Sequence, residues 1–325
     1  MLLSVEETIQ KVKSGKPLSL AGDEKLLKEL PNGNWIGGTI PYFMDVSGGT
    51  ISQDKIFVNE LPDYVEKTMV KSYDNAALPN IPKDAPENGF SIIIIPATSE
   101  VHLNYAQNAP DYDELFMKPI IGWISGIHLN DLGKISPKVF NGQTGEMSDE
   151  KAVVMHIELP AEKMAAISIV NLFEQGQGDV ISFPKTGFNA KDCFVNGEKH
   201  NFADYLLQNK IDTKLPLVAD YAGAMINVSF QEIQEDEKNV SFYAPVFPDI
   251  EYKIASPVVD YVTSFKNSIP NGQTAAVFSC NCILNFLYSE LENKKTANMT
   301  GPVTFGEVAY QLLNQTFVYL EIFDA

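Results

Sequence analysis

A chain of 325 residues has room for roughly two domains of about 150 residues each, and its 45% apolar and 20% charged content is ordinary for a globular protein. All 24 basic residues are lysine, and against 42 acidic residues they leave a formal net charge of −18. This balance excludes a nucleic-acid binder, which needs a positive footprint, and the absence of arginine removes bidentate clamps on carboxylate or phosphate.

The elements follow in chain order. Ser4-Val-Glu-Glu7 has the capping-box pattern and predicts a helix to Lys13, stopped by Ser14-Gly15-Lys16-Pro17. A short strand at Pro17–Leu20, a helix at Asp23–Leu30 and a turn at Pro31–Asn34 come next. Trp35–Ile40 reads as a buried strand, Gly48-Gly49 as a hairpin breaker and Lys55–Leu61 as a strand. Pro79–Asn88 reads as an exposed loop. Phe90–Pro96 is a strand whose consecutive isoleucines require both faces to be covered, and a helix follows within Ser99–Gln107.

Ile120–Ser125, Lys138–Phe140, Ala152–Leu159 and Ala165–Phe173 are further strands. Gly176, Gly178 and Pro184 cluster between apolar runs and mark a domain boundary, giving domains at 1–180 and 181–325. Beyond it come a strand at Cys193–Val195, a turn at Asn196-Gly197, a helix at Asn201–Gln208 and a strand at Ala224–Phe230. Gln231–Asn239 reads as an acidic surface excursion and Pro257–Phe265 as a helix. Thr274–Ser279 is a strand running straight into a helix at Asn281–Leu291, and strands at Val303–Phe305 and Thr316–Phe323 close the chain. The fold class is α/β or α+β, with mixed β-sheets flanked by short helices.

Trp35-Ile36-Gly37, Ile120-Ile121-Gly122 and Val303-Thr304-Phe305-Gly306 are each apolar strands stopped by glycine. Their spacing to the next strand varies too much for a fixed-period repeat. Shared strand-ending chemistry explains the recurrence, and two related halves are the alternative.

No run approaches the roughly 20 apolar residues of a membrane span, and Glu6 and Glu7 interrupt the apolar start where a secretory signal would continue. Three cysteines, Cys193, Cys280 and Cys282, make no disulfide framework, so a reducing cytoplasm is expected. Neither a Walker loop nor a dinucleotide fingerprint occurs, so no nucleotide cofactor is expected. His102, His128, His156 and His200 are scattered, and no metal site is expected from their spacing. Val277–Cys282 places small polar side chains where a strand meets a helix, a setting that can lower a thiol pKa; the alternative is two inert buried cysteines.

Gly301-Pro-Val-Thr-Phe-Gly-Glu307, followed by Leu313-Asn-Gln-Thr-Phe-Val-Tyr-Leu320, resembles the closing signature of the FIST (F-box and intracellular signal transduction) family. Ala275-Ala-Val-Phe-Ser-Cys280 is similar to that family's Phe-Ser-Cys strand, and Asn196–Tyr205 to the element opening its C-terminal domain. Trp35–Thr39 and Pro119–Gly122 followed by Val139–Gly142 resemble it more loosely. The resemblance implies an intracellular sensory module that binds small ligands such as amino acids and works with a signalling protein partner. The family's usual Gly-Arg after Phe-Ser-Cys is here Cys282-Ile283.

The leading expectation is therefore a non-catalytic, stand-alone binder of a small-molecule ligand, with no nucleic acid and no membrane as partners. Its ligand-binding residues would be Gly37, Gly38, Thr39, Gly122, Cys280, Asn281, Gly306, Glu307, Asn314 and Gln315, gathered at one cleft. The alternatives are an assembly scaffold and a thiol enzyme using Cys280 with His128 or His156 as base.

Overall fold

The computed structural model describes residues 1–221, 224–269 and 276–325. The chain is α+β, with short helices flanking mixed sheets. Its main body repeats one topological unit three times. In unit 1, β1 (Leu2–Leu3), α1 (Val5–Lys13), β2 (Leu18–Gly22), α2 (Glu24–Leu27), β3 (Trp35–Thr39), β4 (Tyr42–Asp45), β5 (Gly48–Ile51) and β6 (Ile56–Glu60) follow one another. Unit 2 runs through β7 (Lys67–Tyr73), α3 (Ile81–Asp84), β8 (Gly89–Pro96), α4 (Glu100–Asn108), β9 (Ile120–Ser125), β10 (Val139–Asn141), β11 (Glu146–Ser148) and β12 (Ala152–Glu158). Unit 3 opens with β13 (Lys163–Val170).

A separate module is then inserted. It comprises β14 (Ile181–Ser182), β15 (Gly187–Ala190), β16 (Asp192–Val195), β17 (Glu198–Asn201), α5 (Phe202–Gln208), β18 (Leu217–Tyr221), β19 (Ala224–Val228), β20 (Phe230–Gln234), β21 (Asn239–Val246) and β22 (Tyr252–Ile254). Unit 3 resumes with α6 (Tyr261–Ser268), β23 (Phe278–Cys282), α7 (Ile283–Tyr288), β24 (Gly301–Thr304), β25 (Glu307–Ala309), β26 (Gln311–Leu313) and β27 (Phe317–Asp324).

Among the described residues, the three units make three six-stranded sheets with one pairing pattern: β1-β6-β2-β3-β10-β11, β7-β12-β8-β9-β25-β26 and β13-β27-β23-β24-β4-β5. Each has one parallel pair, β2/β3, β8/β9 or β23/β24, joined by a helix. The last two strands of each sheet come from another unit. The β4–β5 hairpin of unit 1 joins the sheet of unit 3, β10–β11 of unit 2 joins that of unit 1, and β25–β26 of unit 3 joins that of unit 2. The exchange closes a ring.

The internal relation is thus threefold rather than between two halves. The three glycine-ended stretches noted in the sequence fall on or just after β3, β9 and β24, the same position in each unit. A division at 180/181 marks where the chain leaves the main body, but β23–β27 return to pair with β4, β9 and β13, so strands from both sides share sheets. The varied spacing has a physical source too: the connections that follow β3, β9 and β24 differ in length, running from Thr39 to Tyr42, from Ser125 to Val139 and from Thr304 to Glu307.

The sheets bury their inner faces in a common core that includes Ile36, Phe57, Ile92, Trp123, Phe278, Val303 and Leu320. On β8 the isoleucines divide as the sequence demands: Ile92 and Ile94 enter this core, while Ile93 and Ile95 pack under α4 with Val101 and Tyr105. The module has its own core of Phe183, Phe202, Phe230 and Phe242.

The Ser4–Glu7 capping box forms as read. Elsewhere the structure differs. Pro79–Asn88 is not an open loop: it carries α3, with Ile81 fully buried. Gln231–Asn239 is largely the β20–β21 hairpin. The expected helix at Asn281–Leu291 begins only at Ile283, because Asn281 and Cys282 are still paired with Val303 and Thr304. Thr274 and Ala275, the start of the expected strand there, lie outside the described residues.

Gly122 sits where β9 meets β8 so closely that a Cβ would lie 1.8 Å from the Ile93 carbonyl oxygen, whereas a Cβ on Gly178 meets nothing. We expect Gly122→Ala to cost about 2 kcal/mol or more through overpacking and Gly178→Ala to be neutral. Urea unfolding of both variants checks this, and equal midpoints would contradict it.

Candidate functional site

Of the ten expected residues, Gly37, Gly38, Thr39, Gly122, Cys280, Asn281 and Glu307 lie within strands and Gly306, Asn314 and Gln315 in connections, and the strand ends close on one another. The ends of β3 and β9 meet where Gly126 N–H donates to Thr39 O at 2.7 Å. Phe305, just beyond β24, packs onto the same glycine, so that a Cβ there would lie 2.4 Å from its ring. The hollow expected at these tips is filled by that ring. Gly37 and Gly38 serve packing: a Cβ on Gly37 would lie 3.1 Å from Trp35, and one on Gly38 2.7 Å from Ile94 and from Trp123. Thr39 Oγ1 accepts from Lys138 N–H at 2.9 Å, and beside Thr39 only a chamber of about 40 Å3 opens. That is space for little more than one water.

Asn281, Gly306 and Glu307 belong to a buried polar network. Thr316 donates to Glu307 Oε2 from Oγ1 at 2.9 Å and from its backbone N at 3.3 Å. Thr304 Oγ1 lies 3.0 Å from Gly306 O, 3.3 Å from Asn281 O and 3.4 Å from Glu307 Oε1. Asn281 Oδ1 accepts from Cys282 N–H at 2.8 Å and from Asn285 Nδ2 at 3.0 Å. Burial pushes the Glu307 carboxyl up to about 8, opposed by the hydroxyl, amide and thiol donors around it. The acid is neutral at pH 7 and acts as a structural hydrogen-bonding group.

Cys280 Sγ donates to Gly122 O at 3.3 Å, which ties the centres of two sheets together. Desolvation first, and Glu307 second, push the Cys280 and Cys282 thiols well above their ordinary range. Neither is a nucleophile in this setting, because the thiolate is the reactive form. Asn314 and Gln315 are joints. Asn227 Nδ2, on the module, donates to Asn314 O at 3.1 Å, Ser229 Oγ donates to Gln315 Oε1 at 2.7 Å, and Gln315 Nε2 donates to Lys214 O at 3.2 Å. They fasten the module to the main body.

His156 forms a second buried chain. Tyr73 Oη donates to Asp84 at 2.8 Å, so it accepts from His156 Nε2 at 2.7 Å, and Ser91 Oγ then donates to Nδ1 at 2.8 Å. Lys71 completes it on Asp84 at 2.6 Å. Both His156 ring nitrogens are engaged within the protein and Ser91 is fully buried, while His156 and Asp84 also line an open cleft of about 170 Å3 with Lys67, Thr68 and Pro86.

The open chamber lies one layer outward, where the main body meets the module. Its volume is about 250 Å3. One wall is the turn from β8 into α4 (Ala97, Thr98, His102, Leu103), a second is α7 (Ile283, Leu284, Leu287) with Phe305, and Leu129 and Leu132 form the third. The module adds Phe188, Gln231, Phe242 and Tyr243. The position is at the carboxyl ends of the parallel pair β8/β9, where open α/β sheets bind ligands.

The β8–α4 turn is strained and tightly held. Thr98 adopts φ 63°, which is rare for a β-branched residue. Its N–H donates to His102 Nδ1 at 3.2 Å. Ser99 Oγ caps α4 on His102 N–H at 3.1 Å and donates to Pro96 O at 2.6 Å. His102 is only 8% exposed, and its Nε2 has no hydrogen-bond partner among the described residues. Burial lowers its pKa to about 4, so the ring is neutral at pH 7. On the other side of Thr98 a polar, mainly acidic cleft of about 510 Å3 opens between Asp74, Glu100, Asp149 and Glu150.

Reading the residues did not single out this site. His102 stood among four scattered histidines, and only its place three residues after the cap Ser99 could have drawn attention to it. The positive φ of Thr98 and the contribution of the module have no local signature. Groups of His, Cys, Asp and Glu able to hold a metal are absent among the described residues. Likewise, no helix there is long and apolar enough to cross a membrane.

Two outcomes are expected. Glu307 binds a proton in the folded state that the unfolded chain releases between pH 4.5 and about 8. Stability therefore falls as pH rises through this window, by about 1.4 kcal/mol per unit at most from this group. Glu307→Gln keeps a neutral side chain of the same shape and removes that fall. Urea unfolding at pH 5 and pH 7.5 should show the variant gaining on the natural protein at the higher pH, and an unchanged difference would be evidence against a neutral acid. In the folded protein, Cys280 and Cys282 should resist iodoacetamide at pH 8 and react on unfolding; prompt labelling of either in the native state would contradict their burial.

One family model, described as "Family of unknown function (DUF6976)", matches residues 3–323. None of the curated proteins matches the chain.

Proposed function

The chain belongs to the DUF6976 family of unknown function, and on that premise we propose that it is a non-catalytic binder of a small molecule, housed in the chamber between the β8–α4 turn, α7 and the inserted module. The observation that carries this reading is the chamber itself, about 250 Å3 with a mostly apolar wall in which Thr98, His102, Gln231 and Tyr243 are the polar members. An apolar wall with a few placed polar groups is the usual composition of a ligand site.

The binding role implied by the FIST resemblance thus moves from the packed strand tips to the layer just outside them. Ile283 and Leu284 follow directly on Cys280–Cys282, and Phe305 precedes Gly306, so the lining is built on the same segments. A cytoplasmic setting is part of the proposal and is supported by three unpaired cysteines. A signalling partner would respond to the set of the module, whose Phe242 and Tyr243 touch the chamber.

A thermal-shift series with small uncharged compounds tests the reading. The midpoint should rise steadily with ligand concentration, and Leu287→Trp, which fills the chamber from α7, should abolish the rise. A set of compounds that leaves the midpoint unmoved, or a shift indifferent to Leu287→Trp, would count against it.

A further inference from the structure

Independently of the chamber, we propose that the free edge of β13 is a dimerisation surface, on which a second copy of this chain pairs its own β13 antiparallel about a two-fold axis at Ile167. β13 is an outer strand of its sheet and pairs on one side only, with β27. Ala325 N–H donates to Glu162 O at 2.8 Å, one residue beyond the paired Lys163 and Asp324. That bond fixes the alternation of the antiparallel ladder. Met164, Ala166, Ser168 and Val170 bond inward to β27, while Ala165, Ile167 and Ile169 turn their N–H and C=O groups to the edge. No described residue offers those three outward groups a hydrogen-bond partner. The edge is closed at Lys163, whose N–H donates to Pro160 O at 2.9 Å and whose carbonyl accepts from Asn88 Nδ2 at 3.2 Å.

The occupant follows from the symmetry of what is left open. The three free residues are evenly spaced about Ile167. A copy turned through 180° therefore sets Ala165 against Ile169, Ile167 against Ile167 and Ile169 against Ala165, and each free donor meets a free acceptor. Between these bonds Met164 faces Val170 and Ala166 faces Ser168. The stretch from Met164 to Val170 is uncharged, so the pairing opposes no like charges in a chain of net charge −18. Met164 is 55% exposed, Ile169 42%, and Phe323, opposite Met164 on β27, 48%, so the pair has apolar surface to bury.

The other outer strands of the three main sheets are blunted in ways that discourage pairing. β1, β5, β11 and β26 are two to four residues long, and β7 carries Lys67 and Lys71 on its exposed face. β13 has eight residues, and its one charge, Lys163, lies outside the free stretch.

Sedimentation of the natural protein between about 1 and about 100 μM should show the mass rising from 36.0 kDa toward twice that value. Added salt screens the acidic surfaces and should shift the transition to lower concentration. Amide exchange locates the contact: the N–H groups of Ala165, Ile167 and Ile169 should slow about tenfold or more from the dilute to the concentrated sample, whereas those of Met164, Ala166 and Ser168 keep one rate. Ile169→Pro removes an outward N–H that the β27 ladder does not use, so the monomer should fold and the dimer be lost.

A monomer at every concentration and salt would overturn the proposal and leave the edge to an extended strand of another protein. A dimer that survives Ile169→Pro, or that leaves the three amides unprotected, would overturn it by placing the contact elsewhere. Should Ile169→Pro fail to fold, the exchange pattern of the natural protein decides alone.

Discussion

Every sheet of the main body depends on strands that its own unit does not possess. A unit supplies four of its six strands to its own sheet, and its parallel pair would leave β3, β9 or β24 as a bare edge. Such an edge, rich in glycine and apolar side chains, invites uncontrolled pairing. The hairpin donated by another unit covers it, and the ring of three donations leaves none of those inner strands uncovered. The shared core of Ile36, Trp123 and Val303 exists because the three sheets are locked face to face by this exchange.

The same constraint accounts for residues that first suggested a binding cleft. Where β3, β9 and β24 end, Thr39, Ser125 and Thr304 occupy the last parallel pair of each unit, opposite Gly22, Pro96 and Cys282. Thr39 and Thr304 settle backbone groups there, from Lys138 N–H and to Gly306 O, while Ser125 is simply small enough for strand ends that press against one another. Glycines occur there because backbone and ring atoms come too close for a Cβ, as at Gly122 and Gly126. Their chemistry looked functional in the sequence because close packing and ligand approach demand the same residue types.

Local features were legible: the Ser4 cap, the doubly covered β8, and most strands rich in β-branched residues. The recurrence of glycine-ended strands was visible too, but its threefold order was not, since pairing between units depends on contacts far apart in sequence. β7 escaped notice because Met69 shares the exposed face with Lys67 and Lys71, while Val70 shares the half-buried face with Thr68 and Ser72, so neither face reads as apolar. The chamber was hidden for a different reason. Its walls come from α4, α7 and the module, segments far apart in sequence that meet only in the assembled structure.

The ring of hairpins also bears on how the chain comes to be folded. During synthesis β4 and β5 emerge early, yet the strand they must join, β24, is made near the end. Until then the hairpin has no native place, and its closure carries the entropy of a very long loop. Long-range pairing of this kind slows folding and prolongs the exposure of unpaired strands. The inserted module sits inside that interval with a core of its own, so its buried contacts do not wait on the last strands that seal the ring.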